Sequence, residues 1–230
     1  MWDIFTASVT GSSHKKNNIP NQDCAAYYQD DNISIAVLSD GLGSCKYSHT
    51  GSQAVCRAVI ESIKKNNDFS SFDILLKNIY DKFLCYISPN SLKDCLATCL
   101  FAVEYNGELL IFRLGDGLIL AADKSKTISI YDRKDDTFLN ITNNISDILN
   151  KEKIEVIRIN SEEVYAVLLC SDGIAEDIEK EKYADFLEEF YTYFYNMEKN
   201  KRVEELNNLF SSWQAQNSDD RTLICMFRER

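Results

Sequence analysis

Residues 95–132 read CLATCLFAVEYNGELLIFRLGDGLILAADKSKTISIYD, and this stretch decides the fold. Asn106-Gly107 sits between two apolar runs and is the strongest short-range signal for a β-hairpin. The spacing predicts strands over about 95–104 and 108–114, with two more after Asp116. Cys95 and Cys99 are expected to lie on one face of the first of these.

Strands continue on both sides. Upstream, runs near 2–10, 24–29 and 33–39 read as strands. Downstream, 153–159, 164–171 and the terminal RTLICMF (221–227) do the same. Helical spacing separates these groups. Ala54, Ala58, Val59 and Ile63 share one face of a helix with Ser48 or Thr50 as its cap, and a second amphipathic helix runs from Phe72 to Ile87. Tyr183, Phe186, Leu187, Phe190, Tyr191 and Phe194 form a stripe over 182–198, read as core packing. A last helix covers about 200–213. Residues 133–152 are polar and poorly periodic, and are expected to form a loop or flap with a short helix. The pattern predicts an α+β fold in which antiparallel sheets are covered by helices.

Composition narrows the class. The chain has 230 residues, 45% of them hydrophobic and 11% aromatic, enough for a sizeable core. No apolar run approaches the ~18 residues of a membrane span. No basic segment precedes an apolar one at the N-terminus, so no signal peptide is read and a cytoplasmic protein is expected. The net charge of −11 argues against a nucleic-acid binder. The eight cysteines sit mostly in apolar stretches, without the paired spacing of a zinc site and without the setting of a disulfide framework.

The chemistry lies where apolar runs end. VLSDGLGS (37–44), FRLGDGLIL (112–120) and AVLLCSDGIAEDI (166–178) each carry a strand-like run into Asp-Gly. One Asp-Gly is an ordinary turn. Three of them suggest that Asp40, Asp116 and Asp172 meet at one end of a sheet. Asp23 precedes a strand, and Asp219 and Asp220 open the last one. Gathered carboxylates repel one another, and no matching set of Lys or Arg flanks them. Hard divalent cations resolve the conflict, and oxygen donors without His or Cys point to Mg²⁺ or Mn²⁺.

In their order, these motifs resemble the metal-dependent type 2C (PPM) Ser/Thr protein phosphatases, in their short bacterial form. GSSHKKNNIPNQD (11–23) resembles the opening acidic motif, VLSDGLGS the Asp-Gly motif, and HTGSQAVCRAV (49–59) the helix after it. LATCLFAVEYNGELLIFRLGDGLIL (96–120) resembles the paired central strands, LLCSDGIAEDI (168–178) the late Ser-Asp-Gly motif, and DDRTLICMF (219–227) the terminal strand. The resemblance covers nearly the whole chain and implies one catalytic domain over 1–230. Its fold would be a four-layer α-β-β-α sandwich of two antiparallel sheets flanked by helices.

The resemblance also implies hydrolysis of phosphoserine and phosphothreonine on proteins by a hydroxide shared between two cations, in partnership with a Ser/Thr kinase. Asp40 would bridge two Mn²⁺ or Mg²⁺ ions and Gly41 would lend its carbonyl to one. Asp172 and Asp219 would complete the second site, and Asp23 would hold a bound water. Asp116, with Asp172, would form a third site, and Asp220 stands where relatives often carry Asn. Two departures matter. Leu42 replaces a His that many relatives use, and Asn18 stands about where they carry a phosphate-gripping Arg. His14, with Lys15 and Lys16 beside it in a polar loop, is the candidate to bind the phosphate or protonate the leaving oxygen, against a plain solvated loop residue. His49 is read as structural. Gln22 replaces the common Glu. The rival readings are a pseudophosphatase binding module of the same fold and a hydrolase of small phosphate esters.

Overall fold

The computed structural model describes residues 1–65, 71–125, 142–213 and 218–230, and the backbone of 128–131. Two antiparallel sheets of five strands face each other. The first has the order β1 (Asp3–Val9), β10 (Arg221–Phe227), β9 (Val164–Cys170), β6 (Leu118–Asp123), β7 (Ile128–Tyr131). The second has the order β2 (Asp23–Gln29), β3 (Ile33–Asp40), β4 (Cys99–Tyr105), β5 (Glu108–Leu114), β8 (Glu155–Asn160).

Alternation along each strand feeds two cores at once. In β3, Ile35 and Val37 point to helices α2 (Ser48–Lys65) and α3 (Phe72–Ile87), while Ala36 and Leu38 point to the other sheet. Both faces are dry, which is why the sequence there is apolar without a break. In the same way β9 sends Leu168 and Cys170 toward α5 (Tyr183–Tyr195) and α6 (Lys199–Ser212), and Val167 and Leu169 inward between the sheets. The layers therefore run α-β-β-α. The aromatic stripe of α5 is core: the rings of Phe190 and Phe194 pack tilted with centroids 4.5 Å apart, and Tyr191 meets the edge of Phe227.

The central hairpin forms as the sequence predicts. Asn106 (φ 52°) and Gly107 (φ 79°) make a two-residue turn, with Tyr105 opposite Glu108. Three details differ from expectation. The strand expected from 95 starts at Cys99: Leu92–Asp94 form a 3-10 turn, and of residues 95–98 only Ala97 makes an isolated bridge, to Gly41. Cys95 and Cys99 still reach the same helix-side core. Residues Ser12–Asn17 form a short helix, α1, where a loop is expected, ended by Asn18 in the left-handed conformation. Asp172 begins another short helix, α4 (Asp172–Ala175), rather than a turn.

Of the expected flap, 133–141 lie outside the described residues. Residues 142–152 include a 3-10 turn (Ile145–Asp147) capped by Asn144, with Ile145 and Ile148 buried against the α2–α3 core. All eight cysteines are free. No helix among the described residues is long and apolar enough to cross a membrane.

Candidate active site

The acids meet at the end of the sandwich where β3 and β9 stop and β2 and β10 start. Asp23 lies opposite Asp40 in the β2–β3 ladder. Beyond the ladder, Asp40 N donates to Thr98 Oγ1 (2.8 Å) and Thr98 N donates to Asp40 O (2.7 Å), fixing the strand end in both directions. The facing sheet supplies Ser171, whose Oγ donates to Asp23 Oδ2 at 2.8 Å and accepts from Thr222 N at 3.1 Å. One hydroxyl thus ties an acid of one sheet to two strands of the other. Asp116, on the turn after β5, accepts from Thr142 Oγ1 at 2.7 Å.

The glycines of the Asp-Gly pairs explain themselves by proximity. A Cβ at Gly41 would lie 2.6 Å from the Ser48 carbonyl oxygen, and one at Gly173 would overlap the Asp220 carbonyl oxygen. Only a bare backbone lets α2 and the start of β10 come this close to the acids.

Asp40, Asp116 and Asp172 bring carboxylate oxygens within 4.8 Å of one another. With Asp219, His14, Gln22, Gly41, Leu42 and Thr98 they line a cleft of about 250 Å³. No Lys or Arg lines it among the described residues. Charging these groups is correspondingly costly. Burial, followed by the charges of Asp23 and Asp172, holds the Asp40 carboxyl well above the ordinary carboxylate range. Burial pushes Asp23 up to about 7, although hydrogen bonds from Thr222 and Ser171 oppose the shift. Burial and the neighbouring Asp116 push Asp172 up to about 6. Asp172 Oδ1 is buried with no hydrogen-bond partner. An all-oxygen donor set with an orphaned buried carboxylate oxygen fits a hard divalent cation.

The expected residues divide cleanly. Asp40, Gly41, Asp116, Asp172 and Asp219 share the cleft, and Asp23 is buried beneath Asp40. His14 lines the same cleft, on the side of Asp219 and Asp220. Lys15 and Lys16 are exposed on α1 and do not line the cleft. His49 sits at the start of α2, its Nε2 3.3 Å from Thr50 Oγ1. Sequence reasoning missed Thr98, Ser171 and Thr142, hydroxyls that give no signal until the fold brings distant segments together. It also passed over Asp220 as a partner of its own. Asp220 is buried, accepts from Gly11 N (2.7 Å) and Gln22 N (2.6 Å), and lies 2.9 Å from His14 Nδ1.

Comparison with known proteins gives this two-sheet sandwich, with acids collected at its strand ends, its family. The model of the family described as protein phosphatase 2C matches residues 10–211. The chain belongs to the protein phosphatase 2C family, and with it to the protein serine/threonine phosphatases. Among solved structures, a point variant of a bacterial serine phosphatase is 17% identical, with TM-score 0.72 over 100% of this chain and 99% of that one. The serine/threonine phosphatase Stp1 from Staphylococcus aureus is also 17% identical, with TM-score 0.68 over 100% and 96%. RsbX in complex with magnesium is 15% identical, with TM-score 0.61 over 97% and 94%. At these identities the likeness is one of fold. No curated protein matches the chain.

Proposed function

We propose that the chain, 1–230, works as one catalytic domain that removes phosphate from phosphoserine and phosphothreonine in proteins, using Mn²⁺ or Mg²⁺. The carrying observation is the trio Asp40, Asp116 and Asp172, with Asp172 Oδ1 buried and unpartnered. The magnesium held by RsbX on a similar fold supports the choice of ion. Asp40 would bridge two cations, with the Gly41 carbonyl on one and Asp172 and Asp219 on the other. Asp116 with Asp172 would offer a third, weaker place. Bound there, such ions acidify a water and neutralise phosphoryl charge.

The chain's own groups do the rest. Asp23, held at Oδ2 by Ser171 Oγ beneath Asp40, would hold a bound water. Gln22, on the cleft wall, would hold water by its side-chain amide. His14 faces the acids and would grip the phosphoryl group or protonate the leaving oxygen, a task Leu42 cannot perform. Lys15 and Lys16, exposed beside it, would draw the phosphorylated segment toward the cleft. The protein would oppose a Ser/Thr kinase in the cytoplasm, a compartment suited to eight free thiols.

The test is hydrolysis of a phosphothreonine peptide and of p-nitrophenyl phosphate, in EDTA and then with each metal. Activity should vanish in EDTA, return with Mn²⁺ or Mg²⁺, and favour the peptide in kcat/KM. Full activity in EDTA would overturn the metal assignment. Preference for the small ester would favour a small-ester hydrolase, and metal binding without turnover of either substrate would favour a binding module.

A further inference from the structure

His14 and Asp220 stand 206 positions apart in the numbering and meet at the wall of the cleft. Asp220 is only 3% exposed. Its Oδ1 accepts from Gly11 N, and its Oδ2 accepts from Gln22 N and lies 2.9 Å from His14 Nδ1. That nitrogen is sealed from solvent, and its contact is an ion-pair approach, not yet an aligned hydrogen bond. Catalytic hydrogen bonds commonly align only when substrate binds. The His14 side chain keeps 14% of its surface exposed and lines the cleft, so its open edge is the one carrying Nε2.

His14, Asp219 and Asp220 also bring ligand atoms within 4.8 Å, a spacing that a cation could use. Asp220 is ill suited to that role. Both its oxygens already serve backbone N–H groups at short, charge-assisted distances of 2.7 and 2.6 Å. A carboxylate so engaged is an anchor. It locks the loop before α1 and the residue before β2 to the start of β10.

We infer that Asp220 is the positioning residue for His14: it turns the imidazole so that Nδ1 faces Asp220 and Nε2–H donates to a phosphoryl oxygen of the substrate. This rests on the phosphoester reading of the cleft and assigns its missing cationic grip. Carboxylate on one side and phosphoryl oxygen on the other both accept, so the bound ring donates at both nitrogens. The same geometry explains why an acid stands at 220. Two backbone N–H groups and an imidazole N–H need acceptors on both oxygens, and the amide of Asn has only one.

The experiment is a double-mutant cycle on a phosphothreonine peptide at saturating Mn²⁺, using His14→Gln, Asp220→Asn and both together. Each single change should lower kcat/KM by about 10- to 100-fold, the scale of a misplaced binding group. The double variant should be within about twofold of His14→Gln, because Asp220 acts through the ring. Mn²⁺ affinity by calorimetry should stay unchanged throughout. A full Asp220→Asn effect persisting in the His14→Gln background, or a loss of Mn²⁺ affinity, would overturn the inference alone. An inactive wild type would remove the phosphoester reading and this inference with it.

Asp220→Asn also takes an anchor from two backbone groups, so the ring is read directly in the wild type as well. Long-range ¹⁵N–¹H NMR of the two histidines, assigned with His14→Gln, should show hydrogen on His14 Nδ1. A bare Nδ1 would overturn the assignment.

Discussion

Asp172 is costly to charge where it stands. Its Oδ1 is buried without a partner, and its neighbours are other acids. Asp172→Asn should therefore abolish turnover yet stabilise the metal-free protein by on the order of 1–2 kcal/mol, since one pKa unit corresponds to about 1.4 kcal/mol. The folded-state values of about 6 for Asp172 and about 7 for Asp23 lie above the ordinary 3.8. Between 3.8 and those values the folded protein keeps protons that the unfolded chain has released. The stability they contribute is full below pH 3.8 and is lost as pH rises toward 7. In EDTA, the urea midpoint should fall from pH 5 to pH 8, and less steeply in Asp172→Asn. Equal slopes in the two proteins would show that Asp172 is not part of the acid cluster's strain. Of this site, Asp40, Asp116 and Asp172 were readable in the sequence because each follows an apolar run, and Asp23, Asp219 and Asp220 because they precede one. The partnership of Asp220 was not, because Gly11, Gln22 and His14 lie at the other end of the chain and only strand pairing brings them near.

At the scale of elements, the approach of α4 to the start of β10 depends on one missing side chain. Gly173→Ala would drive a methyl group into the Asp220 carbonyl, which belongs to backbone and cannot swing aside. We expect a loss of about 1–3 kcal/mol, the usual cost of overpacking, and weakened Mn²⁺ binding because Asp219 shifts with it. Thermal unfolding and calorimetry measure both, and an unchanged melting temperature would show that the strand start has slack. Legibility followed length and periodicity. Helix α3 was read at its observed limits, Phe72–Ile87, from a single apolar face, and the Asn106-Gly107 hairpin from its turn chemistry. Helices α1 and α4, of six and four residues, are too short to show a period. Their backbone is held from outside: Ser13 N donates to Ser218 O, and the Ser171 hydroxyl that precedes α4 is held between Asp23 and Thr222. The strand predicted from 95 was overextended because Cys95 and Ala97 are apolar for the sake of the α2–α3 core, and Ala97 makes only an isolated bridge to Gly41, not a ladder.

At the scale of the molecule, the two sheets are joined differently at their two ends. Between them lies an apolar layer, from Leu38 and Leu100 to Val167 and Ile224. Far from the cleft, the sandwich is fastened by neutral and cationic groups. Gln29 Nε2, on β2 of the second sheet, donates to Trp2 O at 2.9 Å beside β1 of the first, and Arg228 lies over the Trp2 ring at 4.4 Å and donates from Nε to Val164 O at 2.7 Å. At the cleft, acids of both sheets push against one another. The protein should consequently breathe from one end, like a book bound along a single edge. Amide hydrogen exchange in EDTA should be faster over 169–172 and 221–223 than over 164–166 and 226–228, although both sets belong to the same two neighbouring strands and their flanks. Mn²⁺ should slow the first set and leave the second nearly unchanged. Uniform protection along β9 and β10 would mean that the acids cost the sandwich nothing. If the gradient is there, the ion is also the clasp, and the rate at which the cleft opens becomes a property the cell can set through its free manganese or magnesium.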